Sequence, residues 1–344
     1  FFEIFMHFYG VPFSSYGIRD ERYGYRYFKN IQTVFNYNNE LINFSTNNYG
    51  FRDKKWTFDS GVKKKQIAVV GDSIVSALGT HQSRRFTEIL ENKLIKGENN
   101  YQVLNMGING QNVVNHINSI DSIIKETNPD YILLILSTTD DFVSNHQKTF
   151  LGSKKITYSI KNEEVVIDRT SLNFIEIVYR KALILIRQSS TINQLYKIIN
   201  LIKSKSNKLK NSINEDKKEK FMISGQDNKC INTGFKPKLQ TNLIEKILID
   251  INKITKNKLI LGLSPSEGDF IINNESIINC KDKIHIFNWF NQFTERHDIK
   301  KINIHNILNK TNKGNYFLDG AHYNDNGHSI VAEIIYKKLI DLKD

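Results

Sequence analysis

The chain has little of what staples small folds, ligates metals or crosses a membrane. Its 344 residues include two cysteines, Cys230 and Cys280, which do not make a disulfide framework and lack metal-site spacing. A single bridge between them is compatible with an oxidising compartment. No cluster of histidine, cysteine and carboxylate has ligand spacing, so no metal and no cofactor are expected. No apolar run reaches the roughly 18 residues of a spanning helix, and with 40% hydrophobic residues the chain reads as globular. Nucleic-acid motifs are also missing, although a formal charge of +12 would suit an anionic partner. Much of that excess sits at Lys197, Lys203, Lys205, Lys208, Lys210, Lys217, Lys218 and Lys220, among Asn, Ser and Ile with almost no aromatics. It reads as a solvated helix or mobile loop, so no nucleic-acid partner is expected, and an anionic polymer is the alternative.

What is present centres on Gln66-Ile-Ala-Val-Val-Gly-Asp-Ser73. The apolar run Ile67 to Val70 predicts a buried strand, and Gly71-Asp72-Ser73 stops it with a glycine turn and a helix-start pair. Ser73 then stands at a strand-to-helix corner beside helix N–H groups, where α/β enzymes place nucleophiles. A serine needs a base, and an imidazole needs a carboxylate to fix its tautomer. Asp319 and His322 supply both, three residues apart in a polar loop before the apolar helical positions Ile330, Val331, Ile334, Ile335 and Leu339.

Gly71-Asp72-Ser73 with a distant Asp319-x-x-His322 resembles the SGNH (GDSL-type) hydrolase family, over roughly residues 45–344 and with a long middle insertion. The resemblance implies a flavodoxin-like, three-layer α/β fold with a parallel five-stranded sheet flanked by helices. The alternating pattern agrees. Strands are expected at Ile67–Val70, Tyr101–Asn105, Tyr131–Leu136, Lys258–Leu263 and Lys301–Ile304, separated by amphipathic helices such as the one carrying Val113, Ile117, Ile120 and Ile124. Residues 1–60 form an aromatic-rich N-terminal segment expected to pack on the core, because so much aromatic surface is costly to leave in water. Residues 61–344 form the hydrolase-like domain with an insertion at about 146–240, which contains a β-hairpin around Lys161-Asn-Glu. Within the lead-in, Asn47-Asn-Tyr-Gly-Phe-Arg52 resembles an element of the family branch associated with envelope polysaccharide and acyl transfer; a plain turn followed by a short strand is the alternative.

The resemblance also implies the site. Ser73 is the nucleophile, His322 the base and Asp319 its orienting carboxylate. The oxyanion hole draws on N–H groups of Ser73 and Gly110, with Gly107 as the other candidate glycine in Asn105-Met-Gly-Ile-Asn-Gly110. The family's next donor is an Asn, and this chain departs from that pattern: alignment places Asp140 there, or Thr139 with a shift of one. An ionised Asp about 4 Å from an oxyanion would oppose it by about 4 kcal/mol at an effective dielectric of 20. His328 is expected to pack or cap. The implied activity is a serine esterase or O-acyltransferase acting on ester, foremost acetyl, groups of carbohydrate in a bacterial, extracytoplasmic envelope. The sequence begins at Phe1, so a fragment or processed chain with an upstream signal or membrane anchor is compatible with it. The alternative function is a weak or inactive module of the same fold that binds carbohydrate or an anionic polymer.

Overall fold

The computed structural model describes residues 17–20, 24–37, 40–58, 64–97, 100–138, 140–143, 157–161, 164–168, 237–272, 277–279, 284–305 and 316–341, with a few single residues between 174 and 202. Two antiparallel hairpins come first: β1 (Gly17–Asp20) with β2 (Gly24–Tyr27), then β3 (Gln32–Tyr37) with β4 (Glu40–Ser45). The alternating units follow as β5 (Lys65–Gly71), α1 (Ser73–Ser76), α2 (Phe86–Lys96), β6 (Tyr101–Gly107), α3 (Val113–Thr127), β7 (Tyr131–Ser137) and α4 (Asp140–Val143). A hairpin of β8 (Thr157–Lys161) and β9 (Glu164–Asp168) forms around Lys161-Asn-Glu as the turn residues dictate. The core resumes with α5 (Pro237–Thr255), β10 (Leu259–Ser264), the short pair β11 (Phe270–Ile272) and β12 (Ile277–Asn279), α6 (Ile284–Arg296), β13 (Lys300–Asn303) and α7 (Asp325–Asp341).

The expected α/β architecture is observed: one five-stranded sheet, ordered β13-β10-β7-β5-β6, with every pair parallel. Strand pleating sorts the residues of β5 between two cores. Ala68 and Val70 join Leu104, Leu134 and Leu261 under α3, α5 and α6, whereas Ile67 and Val69 join Val103, Leu133 and Ile260 under α2 and α7. Burial on both faces explains why these strands are continuous apolar runs. The chain steps from β5 to β6 on one side, then returns to β7, β10 and β13 on the other. That reversal opens a crevice at the carboxyl ends of the strands beside β5, where an open α/β sheet receives ligands.

Cys230, Cys280 and Thr139 lie outside the described residues, as do most of the insertion and its lysine-rich stretch.

Candidate active site

The nucleophile corner is built by its own sequence. Asp72 follows β5 and its carboxylate accepts the Ile74 N–H at 2.8 Å, capping α1 and making Ser73 its first residue. The helix lasts one turn. Ala77 closes it in the left-handed region at φ 56°, and the Ser73 carbonyl accepts the Leu78 N–H at 3.0 Å. Gly107, at the end of β6, is required by this corner: a Cβ there would lie 2.1 Å from the Ser76 nitrogen, and its N–H donates to Asn105 Oδ1 at 3.1 Å. Only glycine lets the two backbones approach so closely.

The base arrives on a tight loop. A bridge pairs Phe317 with Tyr323, and the Leu318 N–H donates to the His322 carbonyl at 2.7 Å. Inside it, Asp319 Oδ1 accepts the N–H groups of Ala321 at 2.9 Å and His322 at 2.8 Å. His322 Nδ1 lies 3.0 Å from both Asp319 oxygens, and Nε2 lies 2.9 Å from the Ser73 hydroxyl. The structure therefore brings Ser73, His322 and Asp319 into one hydrogen-bonded line. Ser73 is 8% exposed, so its hydroxyl sits at the floor of the crevice. Burial pushes the Asp319 carboxyl upward, but hydrogen bonds from His322, Tyr37 and the Ala321 and His322 N–H groups prevail and hold it well below the usual carboxylate range.

Tyr37 was not among the expected site residues. From the end of β3 its hydroxyl donates to Asp319 Oδ2 and lies 2.8 Å from His322 Nδ1. Burial, reinforced by the Asp319 carboxylate, pushes its phenol far above the ordinary tyrosine value, so it is a neutral donor. Farther back, the Tyr323 and Ser264 hydroxyls pair at 2.6 Å, and Glu267 N–H donates to the Gly320 carbonyl at 3.1 Å. His328 is buried and stacked on Phe86 with centroids 5.9 Å apart. Burial, then the charges of Arg52, Arg85 and His322, lower its pKa to about 3, which makes it a neutral packing residue.

The Asn47–Arg52 element braces the corner. Asn47 Oδ1 accepts the N–H groups of Tyr49 at 2.9 Å and Phe51 at 3.0 Å, which folds the segment into turns. Among the described residues no strand lies between it and β5. The buried Arg52 donates to the carbonyls of Ser76 at 2.9 Å and Thr80 at 2.6 Å, and to that of Ala77. These are the acceptors that a one-turn helix and its exit leave over. Burial lowers the Arg52 pKa to about 9, with the Arg85 charge adding to the effect. The adjoining Asp53, also unforeseen, accepts from Arg85 at 3.1 Å, Trp56 Nε1 at 2.8 Å and the Asn105 N–H at 2.9 Å, tying α2 and β6 together. Tyr27, from β2, accepts the Asn109 N–H at 2.9 Å beside Gly110.

Gly110 itself has φ +72°, and the position a Cβ would take has no heavy atom within 4 Å. Its backbone thus borders open space in the loop between β6 and α3. Asp140 begins α4, but its side chain, like Thr139, lies outside the described residues. The next residue, Asp141, is buried and accepts the Ser137 N–H at 2.7 Å. Among the described residues no group of His, Cys, Asp and Glu is placed to hold a metal.

A hydroxyl at a strand-to-helix corner, aligned with an imidazole and a carboxylate, has the geometry of a serine hydrolase site. No family model and no curated protein matches the chain. Solved structures similar to it include TesA, at 12% identity over 81% of this chain and 99% of that one with a TM-score of 0.44. They also include the psychrotrophic esterase EstA from Pseudoalteromonas sp., at 11% identity over 82% and 100% with a TM-score of 0.43. A third is the acetyl xylan esterase AlAXEase, at 14% identity over 79% and 98% with a TM-score of 0.40. Function is argued from the site and not from this distant likeness.

Proposed function

We propose that the protein is an SGNH-type serine ester hydrolase. The observation that carries this reading is the 2.9 Å contact between Ser73 Oγ and His322 Nε2, continued by Nδ1 to Asp319 at 3.0 Å. In the proposed cycle His322 takes the Ser73 proton as Oγ attacks an ester carbonyl. The N–H groups of Ser73 and Gly110 receive the oxyanion, and His322 returns the proton to the departing alcohol. An alcohol or water then enters along the same path to release the acyl group. Asp319 stays ionised and supports the imidazolium.

The finer proposal is that the acyl group is acetyl on a carbohydrate of the cell envelope, released to water or passed to a sugar hydroxyl. Two features support a sugar ligand. The Asn47–Arg52 element resembles the polysaccharide-linked branch. A cleft of about 470 Å³ lined by Asn43, Ser45, His81, Gln82, Ser83, Glu88 and Asn92, none of them a residue of the proposed triad, offers amides, hydroxyls and a carboxylate of the kind that hydrogen-bond sugar hydroxyls. The test is labelling by a fluorophosphonate, followed by acetate release from acetylated oligosaccharides with and without an acceptor sugar. Labelling of the native chain but not of Ser73→Ala is expected. Equal labelling of both would refute the assignment of the nucleophile, and no labelling at all would favour a binding module.

A further inference from the structure

We propose that Tyr37 is a positioning residue of the triad: its phenol, delivered by the N-terminal hairpin, fixes the Asp319 carboxylate and shares the Nδ1 side of His322, so that Nε2 faces Ser73. This rests on the hydrolase reading above and adds to it a residue from outside the parallel sheet.

Donor accounting makes the case. A carboxylate has about four acceptor sites. Asp319 Oδ1 takes the N–H groups of Ala321 and His322, and Nδ1 approaches both oxygens at 3.0 Å. The Tyr37 hydroxyl fills the remaining side of Oδ2, in a carboxylate that is otherwise 31% exposed. Because the phenol proton goes to Asp319, its oxygen lone pair is turned to Nδ1, 2.8 Å away. A proton on Nδ1 is then held by two acceptors, which leaves the Nε2 lone pair for the serine proton.

Packing fixes the phenol independently of these bonds. The Tyr37 ring stands edge-on to the imidazole, with centroids 5.8 Å apart and planes at 87°. It fills the space left by Gly79, where a Cβ would lie 2.8 Å from the ring and where φ is +87°. A glycine three residues past the corner helix thus admits the tyrosine, and Tyr37 pairs with Glu40 at the end of its hairpin.

Among the described residues, the other ionisable groups that act on the pair are Glu267, from the turn after β10, which its own burial and then the Asp319 charge push upward, and the buried, neutral His328 of α7. Tyr37 is neutral and acts through its hydrogen bond. The hydroxyl acts on the imidazolium in two ways: donation to Asp319 draws charge from the carboxylate, and its own lone pair supports the Nδ1 proton, so removing it changes the stability of the imidazolium and should move the pH at which activity begins.

The experiment is the pH dependence of kcat and KM on p-nitrophenyl acetate for the native chain, Tyr37→Phe and Ser73→Ala. Tyr37→Phe keeps the ring that packs on Gly79 and removes only the hydroxyl. The expected result is a kcat lower by roughly ten- to a hundredfold, the worth of a hydrogen bond to a charged group, with KM unchanged. The acid limb should move by about half a pH unit to one unit, upward where the freed carboxylate charge dominates and downward where the lost Nδ1 acceptor does. An unmoved acid limb overturns the proposal whether or not kcat falls, since lost packing alone would leave the profile in place. The two readings fail separately. Activity retained in Ser73→Ala removes the hydrolase reading and this proposal with it, whereas an inactive Ser73→Ala beside an unaltered Tyr37→Phe removes Tyr37 alone.

Discussion

The parallel sheet and the N-terminal hairpins meet at the same crevice and contribute different things. From the sheet come the groups of the proposed reaction: Ser73 follows β5, Gly110 follows β6, and the Asp319/His322 loop leads into α7. From the N-terminal region come the groups that hold them. Tyr27 grips the loop before Gly110, Tyr37 the carboxylate, Arg52 the carbonyls behind the serine, and Asp53 the strand leading to the oxyanion loop. The sheet is buried on both faces and rigid by construction. Two-stranded hairpins are marginal on their own and are ordered by what they dock on. Positioning of the triad is therefore tied to the docking of a segment that could be mistaken for a leader.

The sharpest way to break this division is to remove groups from each side and compare. On the sheet side, Asp319→Asn should keep the fold and lower kcat by about 10⁴-fold, because the imidazole loses the carboxylate that sets its tautomer. Steady-state kinetics beside an unchanged circular dichroism spectrum would check it, and full activity would remove Asp319 from the triad.

On the bracing side, Arg52→Met should act first on stability. It orphans the buried carbonyls of Ser76 and Thr80, whereas that of Ala77 still accepts the Thr80 N–H at 3.2 Å, at a cost of about 2 kcal/mol or more. A denaturant midpoint near the native value would show that the brace is dispensable.

Acid should loosen the sheet and the helices that cover it. The pKa values of His116 and His328 are lowered to about 3 and that of His305 to about 4, in each case first by burial. Below the ordinary value of 6.5 the unfolded chain binds protons that the folded chain refuses, so stability falls as pH falls through the window from 6.5 toward 4. The slope is about 1.4 kcal/mol per pH unit for each histidine. Asp319, whose pKa is lowered, adds to the loss only below about pH 4. Urea midpoints at successive pH values test the slope, and His328→Phe should flatten it.

The smallest effect is expected at Tyr27→Phe, which loses one hydrogen bond to the Asn109 N–H, worth about 1 kcal/mol. A fewfold drop in kcat, with no shift in pH dependence, would set it apart from Tyr37.

The two regions also differ in how they are written. Buried parallel strands must be apolar runs, so β5, β7 and β10 could be found within a residue or two of their ends. Ser73, Asp319 and His322 carry local marks, a glycine turn on one side and a polar loop before a helix on the other. Tyr37 carries none. It is one of 15 tyrosines, and its partner lies 282 residues away. Arg52 was visible as part of a motif, but its partners are backbone carbonyls, which leave no trace in side-chain spelling. Gly107 ends β6 and Gly110 lies in the loop after it, and the close approach of Gly107 to Ser76 could not be read from the spelling.

The 282 residues between Tyr37 and Asp319 also set a schedule. A ribosome adding about 5–20 residues each second delivers the loop that receives the phenol roughly 15–60 s after the phenol itself. Throughout that interval the hairpin has no dyad to dock on, and its aromatic faces and strand edges are open to whatever else is near. The site is complete only once that loop has emerged, so the phenol waits for its partner through the synthesis of everything between them.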